Sequence, residues 1–374
     1  MQSATRPADP DNRLTDSVRR DQGAFLSSMS EETGAFLAAQ EEILAEISPE
    51  SLSLLSAIRG LTSGGKRIRA LLCFWGWRAA GGTGDLQPVA RAGAALEFFQ
   101  AAALMHDDVI DRSETRRGAP SIHRQFRQQH LDAGWHLDAD RFGTSSAILA
   151  GDLCLAFSEE LFTGACVGAG ASSARAIFNR MRTEVMAGQY LDLLEEAVGP
   201  DLPPATAADR ALNILRYKSA KYSIERPVML GGALAGADAA TLARFSAFAL
   251  PLGEAFQLRD DVLGVFGDPA VTGKPAGDDL REGKRTYLIA RALAGSGPHD
   301  QGVLNSLLGD PALDDEGVSR LRGLITASGA LRDTEKLIQD RSAEAFAALG
   351  VLETDEVSAA ALGLLAEAAV TRTF

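Results

Sequence analysis

Residues 105–111 read Met-His-Asp-Asp-Val-Ile-Asp and follow an apolar stretch, Ala92–Leu104, that consists mostly of Ala, Leu and Phe. This composition, with no Gly or Pro after Gly93, predicts a buried helix that ends in carboxylates. Asp107 and Asp111 are four residues apart, so a helix places both on one face, about 6 Å apart along its axis. Such close carboxylates repel each other. The helix end therefore needs either solvent or a bound cation.

A second acidic cluster occurs far downstream in the same setting. Asp260 and Asp261 follow an apolar helical stretch, Phe245–Phe256, with Gln257 between. Hard divalent cations, Mg2+ above all, prefer carboxylate oxygens, and a phosphate often completes their coordination. A solvated acidic helix end is the simpler explanation for a single cluster. Two such clusters favour a metal-diphosphate held between them.

Basic residues accompany both acidic clusters. Arg116 and Arg117 follow the first, Lys274 and Lys284 follow the second, and Gly-Gly-Lys-Arg-Ile-Arg at residues 64–69 precedes both. Lysine and arginine bind phosphate oxygens through charge-assisted hydrogen bonds. The run at 66–69 also begins a predicted helix, where backbone N–H groups and the helix dipole favour an anion. Acids for a metal and bases for phosphate are typical of diphosphate chemistry.

These motifs together resemble the trans-isoprenyl diphosphate synthases of the polyprenyl synthetase family, and in particular its geranylgeranyl diphosphate synthases. Asp107–Asp111 is similar to the first aspartate-rich motif of that family, and Asp260-Asp261 to the second. Further matches are Gly-Gly-Lys-Arg-x-Arg at 64–69, Arg-Arg-Gly at 116–118, Gly-Asp at 151–152, Lys-Ser at 218–219, Gly-Lys at 273–274 and Glu-Gly-Lys at 282–284. One departure is Gly264, which stands where the second motif has its third aspartate. The role of that position is therefore in question.

The resemblance implies a fold, a reaction and a set of site residues. The fold is all-α, a single-domain bundle of long helices around a central cavity. The reaction is a Mg2+-dependent, head-to-tail condensation of isopentenyl diphosphate with an allylic prenyl diphosphate, catalysed by a homodimer. The implied metal ligands are Asp107, Asp111 and Asp260. The implied catalytic residues are Asp107, Asp108, Asp111, Lys218, Asp260 and Asp261. The implied substrate-binding residues are Lys66, Arg69, Gln100, Arg116, Arg117, Lys218, Ser219, Gln257, Lys274 and Lys284, of which Lys66, Arg69 and Arg117 are assigned to isopentenyl diphosphate.

Product length in this family depends on side chains just before the first motif, where bulky residues are associated with farnesyl-length products. Here the positions four and five residues before Asp107 are Ala103 and Ala102, both small. The next large side chains are Phe99 and Phe98, about 12 Å from Asp107 along a helix. We therefore expect geranylgeranyl diphosphate as the main product, with Phe99 limiting its tail.

Length, composition and charge limit the remaining possibilities. The 374 residues carry 37 basic and 50 acidic side chains, a net charge of -13, which argues against a nucleic-acid partner. We expect residues 1–20 to be a disordered tail and residues 21–374 to form the helical domain. No stretch is long and apolar enough for a membrane span. The three cysteines, an odd number without metal-site spacing, favour reduced thiols and hence the cytoplasm.

Three other functions remain open. A class I terpene cyclase shares an Asp-Asp-x-x-Asp helix but leaves the basic run at 64–69 unexplained. A head-to-head synthase has different acidic motifs, and a non-catalytic subunit of a heteromeric synthase has no need of both acidic pairs. The polar residues Glu184, Gln189 and Asp192 either face the same cavity or are simply solvated.

Overall fold

The computed structural model describes residues 10–168, 170–199, 202–267 and 277–371, and nearly all of these residues are helical. The helices are α1 (Pro10–Ile47), α2 (Leu52–Thr62), α3 (Ile68–Ala79), α4 (Gln87–Ile110), α5 (Ile122–Asp132), α6 (Ala139–Ala165), α7 (Ala171–Val198), α8 (Ala207–Ile214), α9 (Arg226–Leu234), α10 (Ala239–Phe266), α11 (Asp278–Glu282), α12 (Tyr287–Gly295), α13 (Pro298–Leu307), α14 (Asp315–Ala327), α15 (Ala330–Gly350) and α16 (Glu356–Val370). Short 3-10 turns occupy Pro49–Ser51 and Pro204–Thr206. The expected all-α class is confirmed.

Within the described ranges, the strands are limited to one small hairpin. β1 (Thr115–Arg116) pairs antiparallel with β2 (Ala119–Pro120). The two residues between them, Arg117 and Gly118, have positive φ angles of 55° and 76°. Positive φ at both central residues is the pattern of the tight turns that suit hairpins. The hairpin therefore holds Arg116 and Arg117 in a defined place after the first acidic motif.

The N-terminal tail was expected to be disordered as far as residue 20, and this is wrong for residues 10–20. They form the first turns of α1, which begins at Pro10, a residue that suits a helix start because it lacks an N–H. Val18 is buried in the main core, and Asp16 and Arg19 form an ion pair one turn apart. The mostly polar composition led to a prediction of disorder, but the segment is a helix with one narrow apolar stripe. Residues 1–9 lie outside the described part of the chain.

The two helices that carry the acidic motifs are buried in the centre of the bundle. α4 packs against α6, α3 and α1, and Phe98 and Phe99 are almost completely buried. α10 packs against α15, α9 and a segment of π-helix, Leu215–Glu225, that joins α8 to α9. Both apolar stretches predicted from the sequence are thus central helices. In the described part of the chain, no helix combines the length and apolar character needed to cross a bilayer.

Candidate active site

The ends of α4 and α10 open into one cavity of about 960 Å³. Asp107 and Asp260 both line it, so the two acidic motifs face a common space, as expected from the sequence. The basic residues come to the same place from four different elements. Predicted site residues on the cavity wall are Lys66, Arg69, Gln100, Ala103, Asp107, Arg116, Arg117, Lys218, Ser219, Gln257, Asp260, Asp261 and Lys284. Two residues that the sequence left undecided, Gln189 and Asp192, also line it.

Four predicted site residues in the described ranges are not on this wall. Asp108 and Asp111 lie just behind it and pair with basic residues that line it. Lys274 lies outside the described residues. Ala102 and Phe99 do not border the cavity directly, because both are buried on another side of α4. Helix geometry explains this, because positions four and seven residues before Asp107 share its face, whereas positions five and eight are rotated away.

Arg116 contacts two carboxylates of the first acidic motif. Its Nε donates a hydrogen bond of 2.8 Å to Oδ1 of Asp108, and its Nη2 lies 3.5 Å from Oδ2 of Asp107. Asp108 is only 1% exposed, so this pairing supplies the counter-charge that a buried carboxylate requires. On its other side Asp107 accepts a hydrogen bond of 3.4 Å from Nε2 of Gln189. Asp107 thus remains at the cavity surface while Asp108 is structural support behind it.

Lys284 links the first motif to the segment after the second. Its Nζ lies 3.2 Å from Oδ2 of Asp111 and 3.9 Å from Oδ1 of Asp279, and it also contacts Glu282. Burial raises the pKa of Asp111 to about 6, with Lys284 opposing that shift and Asp107 adding to it. Burial lowers the pKa of the Lys284 ammonium, but the surrounding carboxylates outweigh burial and hold this pKa well above its usual range. A cation between opposed acids is therefore already a feature of this site.

The second acidic motif contains a more strongly perturbed carboxyl group. Asp261 is 8% exposed, and its burial raises its pKa to about 8. A hydrogen bond of 2.8 Å from Nε2 of Gln257 to its Oδ1 opposes this shift, while the neighbouring Asp279 and Asp260 increase it. The repulsion between these acids makes the wall a favourable place for added positive charge.

Lys218 stands on the π-helical segment 215–225, opposite the first motif, and pairs with Asp192. Two glycines hold this segment from either side. A Cβ added to Gly188 on α7 would lie 2.4 Å from the backbone N of Lys218, and one added to Gly253 on α10 would lie 2.5 Å from the carbonyl oxygen of Ala220. π-Helical turns are rare and concentrate at functional sites. Here the close approach of α7 and α10 fixes the backbone on both sides of Ser219.

A separate group of cations lies at the start of α3. The guanidinium of Arg117 donates a hydrogen bond of 3.2 Å to the carbonyl of Leu61 and lies beside Gly65. Partial burial lowers the pKa of Arg117, Glu97 opposes this, and the charges of Arg67, Arg116 and Arg69 lower it further. Cations that repel one another gain stability from a bound anion. This cluster is thus suited to a diphosphate.

Tyr222 connects that cationic cluster to the cavity, and the sequence analysis missed it. Its OH donates a hydrogen bond of 2.6 Å to Oε1 of Gln100, and the Arg69 guanidinium lies 4.5 Å from its ring centroid. Burial raises the pKa of Tyr222 to about 12, so the hydroxyl remains a neutral donor. Arg69 also donates to Oγ of Ser223 at 2.7 Å. The available signal was spacing, because Tyr222 lies one turn after Lys218.

Asp279, Arg285 and Glu196 are further residues that the sequence analysis did not single out. Asp279 and Arg285 line the cavity. Glu196, one turn after Asp192, has its pKa raised to about 7 by burial and by the charges of Asp192 and Asp111. No motif spacing pointed to these residues, since the fold alone brings them to the site.

The acids are chemically suited to Mg2+, because carboxylate oxygens are its preferred protein ligands. The Lys284 ammonium group lies between Asp111 and Asp279 and shows where the site stabilises positive charge. Across the described ranges, no three acidic, histidine or cysteine side chains converge into a ready-made metal site. Basic side chains are paired with several of these acids instead, so a metal would have to displace them.

Comparisons with known proteins agree with this geometry. Residues 53–324 match the family model for polyprenyl synthetase. The chain is 31% identical to the geranylgeranyl diphosphate synthase of Mycobacterium tuberculosis, over 92% of this chain and 90% of that protein. It is 34% identical to the geranylfarnesyl diphosphate synthase of Aeropyrum pernix, over 76% of this chain and 82% of the relative.

Among solved structures, the chain is similar to a geranylgeranyl pyrophosphate synthase from Corynebacterium glutamicum, complexed with isoprenyl diphosphate and magnesium. The TM-score is 0.88 and the identity 36%, covering 93% of this chain and 99% of that one. The match extends over nearly the whole of both chains, and the motif helices meet at one cavity as the sequence resemblance implies. The protein belongs to the polyprenyl synthetase family, and it is a prenyltransferase of the trans-isoprenyl diphosphate synthase type.

Proposed function

We propose that this prenyltransferase condenses isopentenyl diphosphate with an allylic prenyl diphosphate in a Mg2+-dependent reaction and makes mainly geranylgeranyl diphosphate. The observation that carries the proposal is the single cavity that joins Asp107 and Asp260 to a separate cationic cluster, Lys66, Arg69 and Arg117. One wall is suited to a metal-bound diphosphate and the other to a second diphosphate. A reaction that joins two diphosphate substrates needs both.

Asp107, Asp111 and Asp260 would hold the metal, which when bound would neutralise the allylic diphosphate and make it a better leaving group. Arg116 and Lys218 now pair with Asp107, Asp108 and Asp192. In the complex both bind the diphosphate oxygens: Arg116 gives up its contact with Asp107 but keeps the buried Asp108, and Lys218 gives up Asp192. The site exchanges internal ion pairs for substrate contacts, so it need not bury unpaired charge in either state.

After the allylic C–O bond breaks, the chain must stabilise a carbocation and exclude water from it. The π-helical segment at Lys218–Ser219 presents backbone dipoles to the cavity, and oriented dipoles stabilise developing charge. Apolar side chains also line the cavity, among them Val185, Leu215 and Phe256. Lys66, Arg69 and Arg117, with Gln100, hold isopentenyl diphosphate so that its double bond attacks the cation. Transfer of a proton to the departing pyrophosphate then completes the elongation.

Product length is argued from the wall of α4. Ala103 lines the cavity between Gln100 and Asp107, and its small side chain leaves room for a tail. Phe99 is one layer deeper, where its ring packs against Tyr222 with centroids 5.5 Å apart. Phe99 would therefore limit the tail through Tyr222. The names of the family relatives state products of different chain length, so the product of this protein has to be measured directly.

The family resemblance also led us to expect a homodimer, and the surface supports it. α7 exposes Met186, Tyr190 and Leu194 in one stripe at four-residue spacing, and α6 exposes Ile148 and Leu149. Apolar side chains grouped in this way mark contact surfaces. We further propose the cytoplasm as the compartment, because Cys73, Cys154 and Cys166 are all free thiols.

The decisive experiment is incubation of the pure protein with Mg2+, labelled isopentenyl diphosphate and farnesyl diphosphate, followed by separation of the products by chain length. We expect one elongation to the C20 diphosphate, abolished by chelation of the metal. A cyclised hydrocarbon would instead indicate a terpene cyclase, and a head-to-head product a squalene-type synthase. Absence of any product would indicate a non-catalytic subunit.

A further inference from the structure

The Gly-Asp pair at 151–152 is one of the motifs that resemble the family, but the reaction proposed above gives it no role. Both residues lie on α6, and neither lines the cavity. They contact His106 instead, the residue immediately before Asp107 on α4. The pair therefore reaches the first acidic motif from outside the cavity.

Gly151 makes room for the His106 side chain. A Cβ added to Gly151 would lie 2.3 Å from Nε2 and 2.6 Å from Cδ2 of the imidazole ring. These distances are well below van der Waals contact, which is about 3.5–4.0 Å between carbon atoms. Any other residue at 151 would push the ring away from α6. The observed position of the ring thus requires this glycine.

The His106 ring also has two acceptors on α6. Its Nε2 lies 3.3 Å from the carbonyl oxygen of Ile148 and 3.5 Å from Oδ1 of Asp152. A carbonyl oxygen can only accept, so Nε2 is the donor in the contact with Ile148. Acceptors beside one ring nitrogen fix the tautomer and orientation of a histidine. The side chain is therefore held to α6 in one orientation.

This attachment matters for Asp107 because another of its contacts changes when substrate binds. Arg116 contacts Asp107 in the free protein and leaves it for the diphosphate in the proposed complex. The end of α4 must then keep its place without that contact. His106 attaches the adjacent backbone to α6 from outside the cavity, so its contacts do not compete with the ligand.

We propose that His106 is a positioning residue for the first acidic motif. By holding the last turns of α4 against α6, it fixes the point at which the Asp107 carboxylate meets a metal-bound diphosphate. Gly151 supplies the space for the ring, and Asp152 orients it. This inference rests on the Mg2+-dependent function proposed for the same site.

The test measures binding without turnover. Inorganic pyrophosphate is titrated into the full-length protein in a calorimeter, once with a constant excess of Mg2+ and once with a chelator, which isolates the Mg2+-dependent affinity. His106→Ala should weaken this affinity about tenfold, as loss of a group that supports a metal site commonly does. His106→Gln should stay within about threefold of the native affinity, because its amide nitrogen can donate the same hydrogen bond.

His130→Ala is the matched control. Nε2 of His130 lies 3.0 Å from the carbonyl oxygen of His136, so the variant loses the same kind of contact away from the cavity. It should lower the unfolding temperature and leave the affinity unchanged. If His106→Ala also lowered only the unfolding temperature, the contact would serve stability alone and the inference would be wrong. An affinity of His106→Gln as weak as that of His106→Ala would equally overturn it.

Gly151→Ala tests the same contact from α6. Alone it should weaken the affinity about as much as His106→Ala, but in the His106→Ala background it should add little, because a shared contact is lost only once. Equal losses in both backgrounds would contradict the inference. Asp152→Ala changes a side chain that is 61% exposed, so it tests the inference even if the buried variants do not fold. Its affinity should fall about twofold to fivefold, the range of an exposed ion pair. An unchanged affinity would overturn the inference.

Asp107→Asn separates failure of this inference from failure of the proposed function. If Asp107→Asn weakens the Mg2+-dependent affinity but His106→Ala does not, the metal site stands and the role of His106 is wrong. If neither variant changes the affinity, the metal site itself is wrong, and the inference fails with it.

Discussion

At the scale of single residues, the site holds carboxylates in an environment that opposes their charge. Burial raises the pKa of Asp111 to about 6 and that of Asp261 to about 8. Each raised pKa represents a cost of keeping the acid ionised in the folded protein. A bound divalent cation would remove that cost. The acids are thus destabilising when alone and suited to a charged ligand.

This cost predicts a pH effect on the stability of the metal-free protein. The pKa of Asp261 in the folded state is above its value in the unfolded chain, so between the two the folded protein binds more protons. The contribution of Asp261 to the free energy of unfolding therefore falls as the pH rises from the usual pKa of 3.8 to about 8. Asp261→Asn removes the cost, so its gain in unfolding temperature should be larger at about pH 8.5 than at about pH 5.5.

Thermal unfolding in the presence of a chelator measures this difference. Asp315→Asn serves as the control, since it removes an acid that is fully exposed. An equal effect of Asp261→Asn at both pH values would mean that the carboxyl group is not held in a charge-opposing environment.

A second prediction at this scale concerns product length. Ala103→Phe places a ring on the cavity wall, so the product should become shorter than that of the native protein. Ala102→Phe is the matched control one residue away, at a fully buried position that does not line the cavity. It should destabilise the fold by about 1–3 kcal/mol through overpacking. Its product length should not change.

Chromatography of the products and thermal unfolding distinguish the two effects. Shortening by Ala102→Phe but not by Ala103→Phe would place the tail on the other side of α4.

The sequence was sufficient to identify most of the charged residues on the cavity wall, because their motifs are local and ordered. It could not reveal their partners. Nothing local indicates that Arg116 pairs with Asp108, that Tyr222 hydrogen-bonds Gln100, or that Asp279 lies over Gly264. Chain-length positions were placed only in part, since counting back from Asp107 ignored the rotation between Ala103 and Ala102.

At the scale of helices, the π-helical segment 215–225 depends on its neighbours. α7 and α10 approach its backbone at Gly188 and Gly253, closer than any side chain would allow. The widened turns expose Lys218 and Ser219 to the cavity. A sequence read for helical periodicity predicts a helix here but not its widening, because the cause lies in two distant glycines.

Gly188→Ala should therefore impair catalysis more than folding. The added methyl group would lie 2.4 Å from the Lys218 N, so α7 and the segment must separate. A displacement of about 1 Å in a positioning group can cost about 100-fold in rate, and we expect a loss of that order in kcat. Gly323→Ala, in α14 with open space around it, is the control and should be neutral or slightly stabilising.

Steady-state kinetics and thermal unfolding together test this prediction. Full activity of Gly188→Ala would show that the close approach is not required for the placement of Lys218.

At the scale of the whole molecule, the sequence predicted the helical class and the meeting of both acidic motifs. Two apolar helices that end in acidic residues bury their apolar side chains in the core. Their acidic ends then meet at a shared polar cavity. The start of α1 was missed because its apolar stripe is narrow, with Val18 and Phe25 among mostly polar neighbours.

The exposed apolar stripe on α7 predicts how the molecule assembles. Tyr190 is 64% exposed, and Tyr190→Arg places a charge at the proposed dimer contact. We expect this variant to be a monomer in sedimentation experiments in which the native protein is a dimer. Val351→Arg, an equally drastic change at a position 76% exposed beyond α15, should leave the dimer intact. A dimeric Tyr190→Arg would exclude this stripe as the contact.

The central claim is that one cavity holds two diphosphates on separate walls, and the Michaelis constants of the two substrates test it most directly. Lys66 lies in the cationic cluster before α3, and Lys218 faces the acids from the π-helical segment. Loss of one charged hydrogen bond weakens binding by about tenfold or more. Lys66→Ala should raise the KM for isopentenyl diphosphate by this amount and leave that for farnesyl diphosphate nearly unchanged, and Lys218→Ala should do the reverse. If both variants raised the same KM, the two-wall arrangement would be contradicted.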